Sequence, residues 1–279
     1  MNKLLLREQL LHFYKEDIGF GDKTSESMFT NERSKAIFLA KEDGVFSGEI
    51  VLREGYKILE EDIHLTLLKK DGDKVSVGDV IAEVEGPTID ILSTERVLLN
   101  LVQRMSGIAT LTAKVAEKLA GSNTKVCDTR KTTPGLRMLE KHAVFCGGGS
   151  NHRLRLDDAV MIKDNHIAQC GSILDAVKRV RDHVGHTMKV EVEVESLEAL
   201  REAIEAKADI IMFDNCTMEE AMAWCKETPS HIITEVSGGI TMETVEEYGK
   251  TGVDYISIGA LTHSVKALDI SLDIKGLEE

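Results

Sequence analysis

The sequence predicts an α/β protein in two parts, a small α+β region and then a run of βα units. From Lys125 onward, short β-branched runs alternate with helical patterns, the signature of a parallel sheet. Before Lys125, strands and helices mix with glycine-bearing turns and no such alternation. The strands of the second part also end in polar or ionisable residues, as expected where the carboxyl ends of parallel strands form a ligand mouth.

In the first part, Leu4 to Tyr14 reads as a helix, because apolar residues return at helical spacing. GFGDKTSE, 19–26, reads as a loop by its glycines and polar residues. Ala36–Ala40 is a strand ending before the Asp43-Gly44 turn signal, Glu49–Leu59 a helix after Gly48, and Ile63–Leu68 an alternating strand. Two glycine-bearing turns around short strands fill 71–86 and resemble the hammerhead of biotin- and lipoate-carrying domains. No carrier lysine marks a hairpin tip, so the segment is read as structural. A long helical pattern begins at Ser93 and runs through Val97, Leu101, Met105, Ile108 and Val115 to Leu119, with Gly121 as C-cap. Gly107 within it costs about 1 kcal/mol relative to Ala and is expected to mark a break and a domain border.

In the second part the expected strands are 125–128, 159–162, 189–194, 209–213, 232–236 and 254–258. The helices between them are 136–146, 172–183, 196–207, 217–226 and 241–250. Pro134 suits a first helical turn with Thr133 as cap, and Thr217 with Glu220 forms a capping-box pattern. Six strands fall short of a closed eight-stranded barrel, and an open doubly wound sheet is the alternative. The polar residues at every strand end favour a barrel over a single switch point. So do SGG (237–239) and IGA (258–260) after the last two strands, where barrels often hold phosphate. LDISLDI near the C-terminus reads as a final strand returning to the first domain.

Composition narrows the function. No apolar run approaches the ~20 residues of a membrane span, and no signal peptide is evident, which places the protein in the cytoplasm. Five widely spaced cysteines without CxxC argue against a disulfide scaffold or structural zinc. A net charge of −14 disfavours a nucleic-acid footprint. Against that acidic background, Arg130, Lys131, His152, Arg153 and Lys163 gather at turns after two short apolar runs. Convergent cations imply a small anionic ligand, because guanidinium offers paired donors to carboxylate or phosphate.

Further candidates follow the strands: Asp128, the row Glu191, Glu193 and Glu195, then Asp214, Asn215, Ser237, Gly238, Gly239, Gly259 and His263. The three glutamates alternate with valines, so they point the same way. Bland readings stand beside these. The glycines 147–149 also suit a flexible turn, Lys163 a solvated strand end, and Arg96 an exposed helical surface; His152 alone reads either way. HAVFCGGGSNHR carries no Walker pattern. Lys163 as a Schiff-base former in a barrel aldolase, and a non-catalytic binding protein, are the readings from other classes.

The segments STERVLLNLVQRMSGIAT, DTRKTTPGLR, GGGSNHR, IKDNH, VEVEVESLEAL, FDNCTMEEA, SGGI and IGALTHSVKALDISLDI span essentially the whole chain. Together and in this order they closely resemble the quinolinate phosphoribosyltransferase family. The resemblance implies an N-terminal α/β sandwich over 1–106, with 266–279 returning to it, and an incomplete six- or seven-stranded α/β barrel over 107–265. It implies transfer of phosphoribosyl from 5-phosphoribosyl 1-pyrophosphate (PRPP) to quinolinate with decarboxylation. The products are nicotinate mononucleotide, pyrophosphate and CO2, in NAD biosynthesis. It implies Mg2+, and a homodimer or a hexamer of dimers in which Arg96 reaches the neighbouring subunit's site.

By the same resemblance, Arg96, Arg130, His152 and Arg153 hold the dicarboxylate. Lys131 and Lys163 lie between substrate and pyrophosphate. Glu193 and Asp214 serve the ribose and the metal, and Ser237, Gly238, Gly259 and His263 receive the 5′-phosphate. Arg155 stands where members commonly have glycine, which raises the question of backbone strain there. A sibling pyrophosphorylase-like enzyme acting on another acceptor is the alternative within the fold.

Overall fold

The computed structural model describes residues 1–59 and 62–275. It divides into two compact units, one of Met1–Ala113, Thr133–Gly148 and Ser264–Glu279, the other of Lys114–Thr132 and Gly149–His263. Residues 276–279 of the expected C-terminal return lie outside the described residues.

The chain begins with α1 (Lys3–Ile18), started by the Asn2 side chain accepting from the Leu4 and Leu5 N–H groups. Next come α2 (Lys23–Met28), β1 (Arg33–Ala40), β2 (Gly44–Val45), α3 (Glu49–Leu59), β3 (His64–Leu67), β4 (Lys74–Val75), β5 (Val80–Pro87) and α4 (Thr88–Lys118). The loop reading of 19–26 is corrected by α2. Asp22 accepts from the Thr24 and Ser25 N–H groups and starts a helix of which only Ser25 is buried, so no apolar periodicity marks it in the sequence.

The first unit is built on an antiparallel sheet of order β12-β1-β5-β3, where β12 (Ile270–Lys275) is the returning C-terminal strand. It pairs with β1 from Lys35↔Lys275 to Ala40↔Ile270. Alternate residues of β1, Ala36, Phe38 and Ala40, are buried. Helices α1 and α3 pack together and bury Leu6, Leu10, Val51 and Leu52. Glu54 of α3, 1% exposed, is compensated by Arg7 at 2.6 Å.

The long helix α4 starts five residues before the expected Ser93 and does not break at Gly107. Gly107 has a packing cause instead. A Cβ there would lie 2.2 Å from the Lys266 carbonyl oxygen and 3.0 Å from Ala267 Cα. The glycine lets the returning C-terminal segment lie directly on the helix.

The remaining elements are β6 (Lys125–Cys127), α5 (Arg137–Cys146), β7 (Val160–Ile162), α6 (Asp164–Cys170), α7 (Ile173–Arg181), β8 (Val190–Val194), α8 (Leu197–Glu205), β9 (Ile210–Asp214), α9 (Met218–Glu227), β10 (Ile233–Ser237), α10 (Val245–Tyr248), β11 (Tyr255–Ser257) and α11 (Ala260–His263), before β12. The first of these helices, α5, belongs to the first unit. The expected Thr133 cap with Pro134 in its first turn is not formed: the helix begins at Arg137, after a turn. Thr133 is engaged elsewhere, its hydroxyl accepting from Arg104 at 2.8 Å and its N–H donating to Glu140 at 3.1 Å.

In the second unit, six parallel strands run in the order β6-β11-β10-β9-β8-β7. They match the six runs read from the sequence and make the incomplete α/β barrel. Beside β6, Ser150 forms one parallel bridge with Cys127. Val190, Val192, Val194, Ile211, Phe213, Val236 and Ile256 are all buried. Trp224 of α9 meets Phe213 edge-on, ring centroids 5.4 Å apart. The capping box at Thr217 and Glu220 is formed. The helix α6 was not anticipated; it has no buried residue and so no apolar stripe.

Helix propensity favours Ala over Gly by about 1 kcal/mol, but the carbonyl contact at 107 decides the sign. Gly107→Ala is expected to lower the unfolding free energy by about 1–3 kcal/mol in urea denaturation, as overpacking does.

Candidate active site

The carboxyl ends of the six parallel strands surround a cavity of about 400 Å³. Thr129, Arg130 and Lys131 reach it from β6, Met161 and Lys163 from β7, and Glu193 from β8. Met212 and Asp214 come from β9, Ser237 from β10 and Ser257 from β11, while His152 and Arg153 follow the Ser150 bridge.

Asp128, fully buried, ties two of these segments together. It accepts from Asn151 Nδ2 at 2.6 Å and from the His152 N–H at 2.9 Å. The Arg130–Lys131 turn is held by the Lys131 N–H on Thr129 Oγ1 at 3.0 Å and by Thr262 Oγ1 donating to the Lys131 carbonyl at 2.8 Å.

Charge is distributed unevenly across the cavity. Arg153 Nη1 donates to the Ala159 carbonyl at 2.8 Å, while its Nε is buried with no hydrogen-bond partner. Burial and then the neighbouring Arg130 charge lower the Arg153 pKa. Two cationic forks in one cavity, one with an orphaned donor, make a site that an anion completes. Opposite in chemistry, Lys163 is ion-paired with Glu193, and Asp214 accepts from Asn215 Nδ2 at 2.7 Å.

Beneath the cations lies a buried acidic layer. His152 Nδ1 accepts from the Arg153 N–H at 2.8 Å, which puts the ring proton on Nε2, 2.9 Å from Glu191 and 3.8 Å from Glu235. Glu191 and Glu235 are 2% and 4% exposed. Burial, followed by the Glu191 charge, pushes the Glu235 carboxyl up to about 8. Ser257 donates a hydrogen bond to it. Sequence reasoning passed over Glu235; the available signal was a glutamate amid the apolar residues of ITEVS, as with Glu191 in VEVEV. The row of three glutamates separates by depth: Glu191 is buried, Glu193 lines the cavity and Glu195 is exposed.

Of the residues expected at the site, Arg130, Lys131, His152, Arg153, Lys163, Glu193, Asp214 and Ser237 line one cavity. Gly238 and Gly259 stand at the adjoining strand ends. Gly238 has φ 98°, and a Cβ there would lie 2.3 Å from Asn215 Oδ1. A Cβ at Gly259 would lie 3.0 Å from Lys131 Cδ and 3.2 Å from His263 Cδ2, so these three are neighbours. Arg96 is not among the lining residues; it is exposed on α4 beside Glu95 at 3.9 Å. Arg155 is also outside the lining, exposed and paired with Asp157 at 3.2 Å. Its φ is not positive, so no strain follows from the missing glycine.

Two sets of side chains here have donors for a metal. His152, Glu191 and Glu235 bring ligand atoms within 4.8 Å of one another. Glu193 and Asp214 offer oxygen donors only, on adjacent strands at the cavity wall.

The folded chain keeps a proton on Glu235 that the unfolded chain releases near the ordinary carboxyl pKa of 4.5. This contribution is therefore complete below about pH 4.5 and is lost as pH rises through about 8, with a slope of at most about 1.4 kcal/mol per pH unit. Urea unfolding across pH 5–9 should show that slope reduced in Glu235→Gln; an identical profile in the variant counts against the buried protonated acid.

Comparison with known proteins bears on this site. Two family models match the chain, "Quinolinate phosphoribosyl transferase, N-terminal domain" over residues 22–106 and its C-terminal domain over residues 108–273. A Bacillus subtilis protein named probable nicotinate-nucleotide pyrophosphorylase (carboxylating) is 55% identical over 274 residues, covering 98% of this chain and 95% of its own. Among solved structures, the nicotinate-nucleotide pyrophosphorylase of Francisella tularensis superposes with a TM-score of 0.94 at 37% identity, covering 99% of this chain and 98% of its own. NadC of Streptococcus pyogenes does so with 0.94 at 39% identity, covering 99% of each chain.

Proposed function

The chain belongs to the quinolinate phosphoribosyltransferase family, and on that premise we propose how its strand-end residues carry the reaction. The enzyme transfers phosphoribosyl from PRPP to quinolinate with decarboxylation, giving nicotinate mononucleotide, pyrophosphate and CO2.

The observation that carries the site assignment is the pair Arg130 and Arg153 in one cavity, with the Arg153 Nε lacking a partner. Quinolinate presents two adjacent carboxylates, which match two guanidinium forks. His152, fixed by Asp128 and Glu191, stands beside them and orients the pyridine. The 5′-phosphate end falls to Ser237, Gly238, Gly259 and His263, where backbone N–H groups and glycine turns admit an anion closely.

The ring nitrogen's lone pair forms a bond to C1 of the ribose as the C1–O bond to pyrophosphate breaks and its electron pair departs with the leaving group. Positive charge grows on the sugar, and Glu193 offsets it; Lys131 and Lys163 meet the negative charge on the leaving oxygen. As the ring–carboxylate bond breaks, its electron pair stays on the ring carbon beside the positive nitrogen, which stabilises it; CO2 departs, and that pair takes a proton from water. No protein nucleophile is needed, and the residues act by alignment and preset charge.

Glu193 and Asp214 suit Mg2+, since both are carboxylates and the open cavity leaves room for the waters that ion retains. They would hold it, and when bound it offsets charge on the pyrophosphate. We assign 1–106 with the C-terminal return to the sandwich domain and 107–265 to the catalytic domain. We also place the enzyme in the cytoplasm, as a homodimer or a hexamer of dimers, with Arg96 supplied to the neighbouring subunit's quinolinate.

Turnover with quinolinate, PRPP and Mg2+ should give CO2 and nicotinate mononucleotide in equal amounts, and none after chelation. Absence of product from folded protein would sink the assignment. Arg96→Ala and Lys163→Ala should each be inactive alone, yet their mixture should recover about a quarter of wild-type activity on free reassortment of a two-fold dimer. A mixture no better than its parts would place Arg96 outside the partner's site.

A further inference from the structure

A second cluster, none of whose residues lines the cavity, consists of Asp71, His142 and Cys146, all in the first unit. His142 and Cys146 stand one turn apart on α5, which puts both on one helix face. Asp71 comes from the loop after β3. Its Oδ1 accepts from the Gly48 and Glu49 N–H groups at 2.7 and 2.9 Å, so that oxygen is fixed by the start of α3. The other oxygen, Oδ2, lies 2.7 Å from His142 Nε2. Ligand atoms of all three residues lie within 4.8 Å of one another, and each residue is half-buried, within reach of solvent. The loop sits close on the helix end: a Cβ at Gly72 would lie 3.2 Å from the Cys146 carbonyl oxygen.

We propose that Asp71, His142 and Cys146 form a binding site for a zinc-class divalent transition metal. The donor set is one thiolate, one imidazole and one carboxylate. This combination suits zinc and its neighbours and does not suit Mg2+ or Ca2+, which take oxygen donors. Three protein ligands leave a fourth position for water or an exogenous ligand. Backbone donors behind Asp71 hold it in place as partner groups do behind metal-bound carboxylates. In the metal-free protein the imidazole is protonated between carboxylate and thiol: the Asp71 hydrogen bond, then that of Cys146, raises His142 to about 9. Metal binding displaces the imidazolium proton and the thiol proton, and its bonds replace their hydrogen bonds. Typical zinc bond lengths require the His142 and Asp71 ligand atoms to separate by roughly 0.5–1 Å, a rotamer adjustment at a half-buried site.

The test uses the purified full-length protein, stripped with chelator and titrated with Co2+ in the presence of excess Mg2+. One equivalent should bind with thiolate-to-cobalt charge-transfer absorption in the near ultraviolet, and Zn2+ should bleach it. Cys146→Ser should abolish that absorption, and Asp71→Asn should weaken Co2+ binding at least tenfold. A second readout needs no variant: Zn2+ should protect Cys146 of the wild-type chain from iodoacetamide at least tenfold in rate, mapped by mass spectrometry. The proposal is overturned if no thiolate absorption appears, if it persists in Cys146→Ser, or if Cys146 alkylates at the same rate with and without Zn2+.

Discussion

Two arginines can share one cavity only if their charge is answered from the protein side. Here the answer includes Glu191, whose charge acts on Arg153, in a buried layer with Asp128 and the protonated Glu235. Asp128 holds the segment that carries His152 and Arg153 against the end of β6. Glu191 fixes the tautomer and direction of His152, and Glu235 sits behind it with its own charge suppressed by burial. Carboxylates this deep are costly, and a packed apolar floor would be cheaper for stability. The floor is therefore legible as support for the cations above it, and the cations as complements to a ligand that brings the missing negative charge.

The rim was legible in the sequence for a simple physical reason. Parallel strands place their carboxyl ends together, so polar residues just past each apolar run must converge, whatever their separation along the chain. Arg130, Lys163, Glu193, Asp214 and Ser237 all follow that rule. Arg96 does not, since it lies on an exposed helical surface, and only family resemblance singles it out. Glu235 was missed because a lone carboxylate inside an apolar strand has no local signature of purpose; its role emerges only when β8 and β10 place it near Glu191 and His152.

Local fold errors have the same origin. The short helices α2 and α6 bury almost none of their residues, and periodicity cannot reveal a helix that has no apolar face. Gly107 misled in the opposite direction. Its propensity pointed to a break, whereas the determining fact is the backbone of residues 266 and 267, distant in sequence and packed on the helix. Thr133 had the residue type of a cap and was taken by Arg104 and Glu140 instead. At Gly107 and Thr133 tertiary contact outweighed a local preference of about 1 kcal/mol.

The antiparallel pairing of β12 with β1 sets the order in which this protein can be made. Residues 270–275 supply one flank of the strand at 33–40, so the first sheet to leave the ribosome cannot be completed until residue 275 has been synthesised. Until then β1 presents unpaired N–H and C=O groups on that side, an edge that invites pairing with other nascent chains. The six βα strands, contained within 125–257, depend on no later segment for their ladder and can pair while the C-terminal strand is still in the tunnel. Synthesis thus favours a catalytic sheet that forms early and a flanking sheet that closes last, with the nascent chain most exposed to aggregation in the interval between.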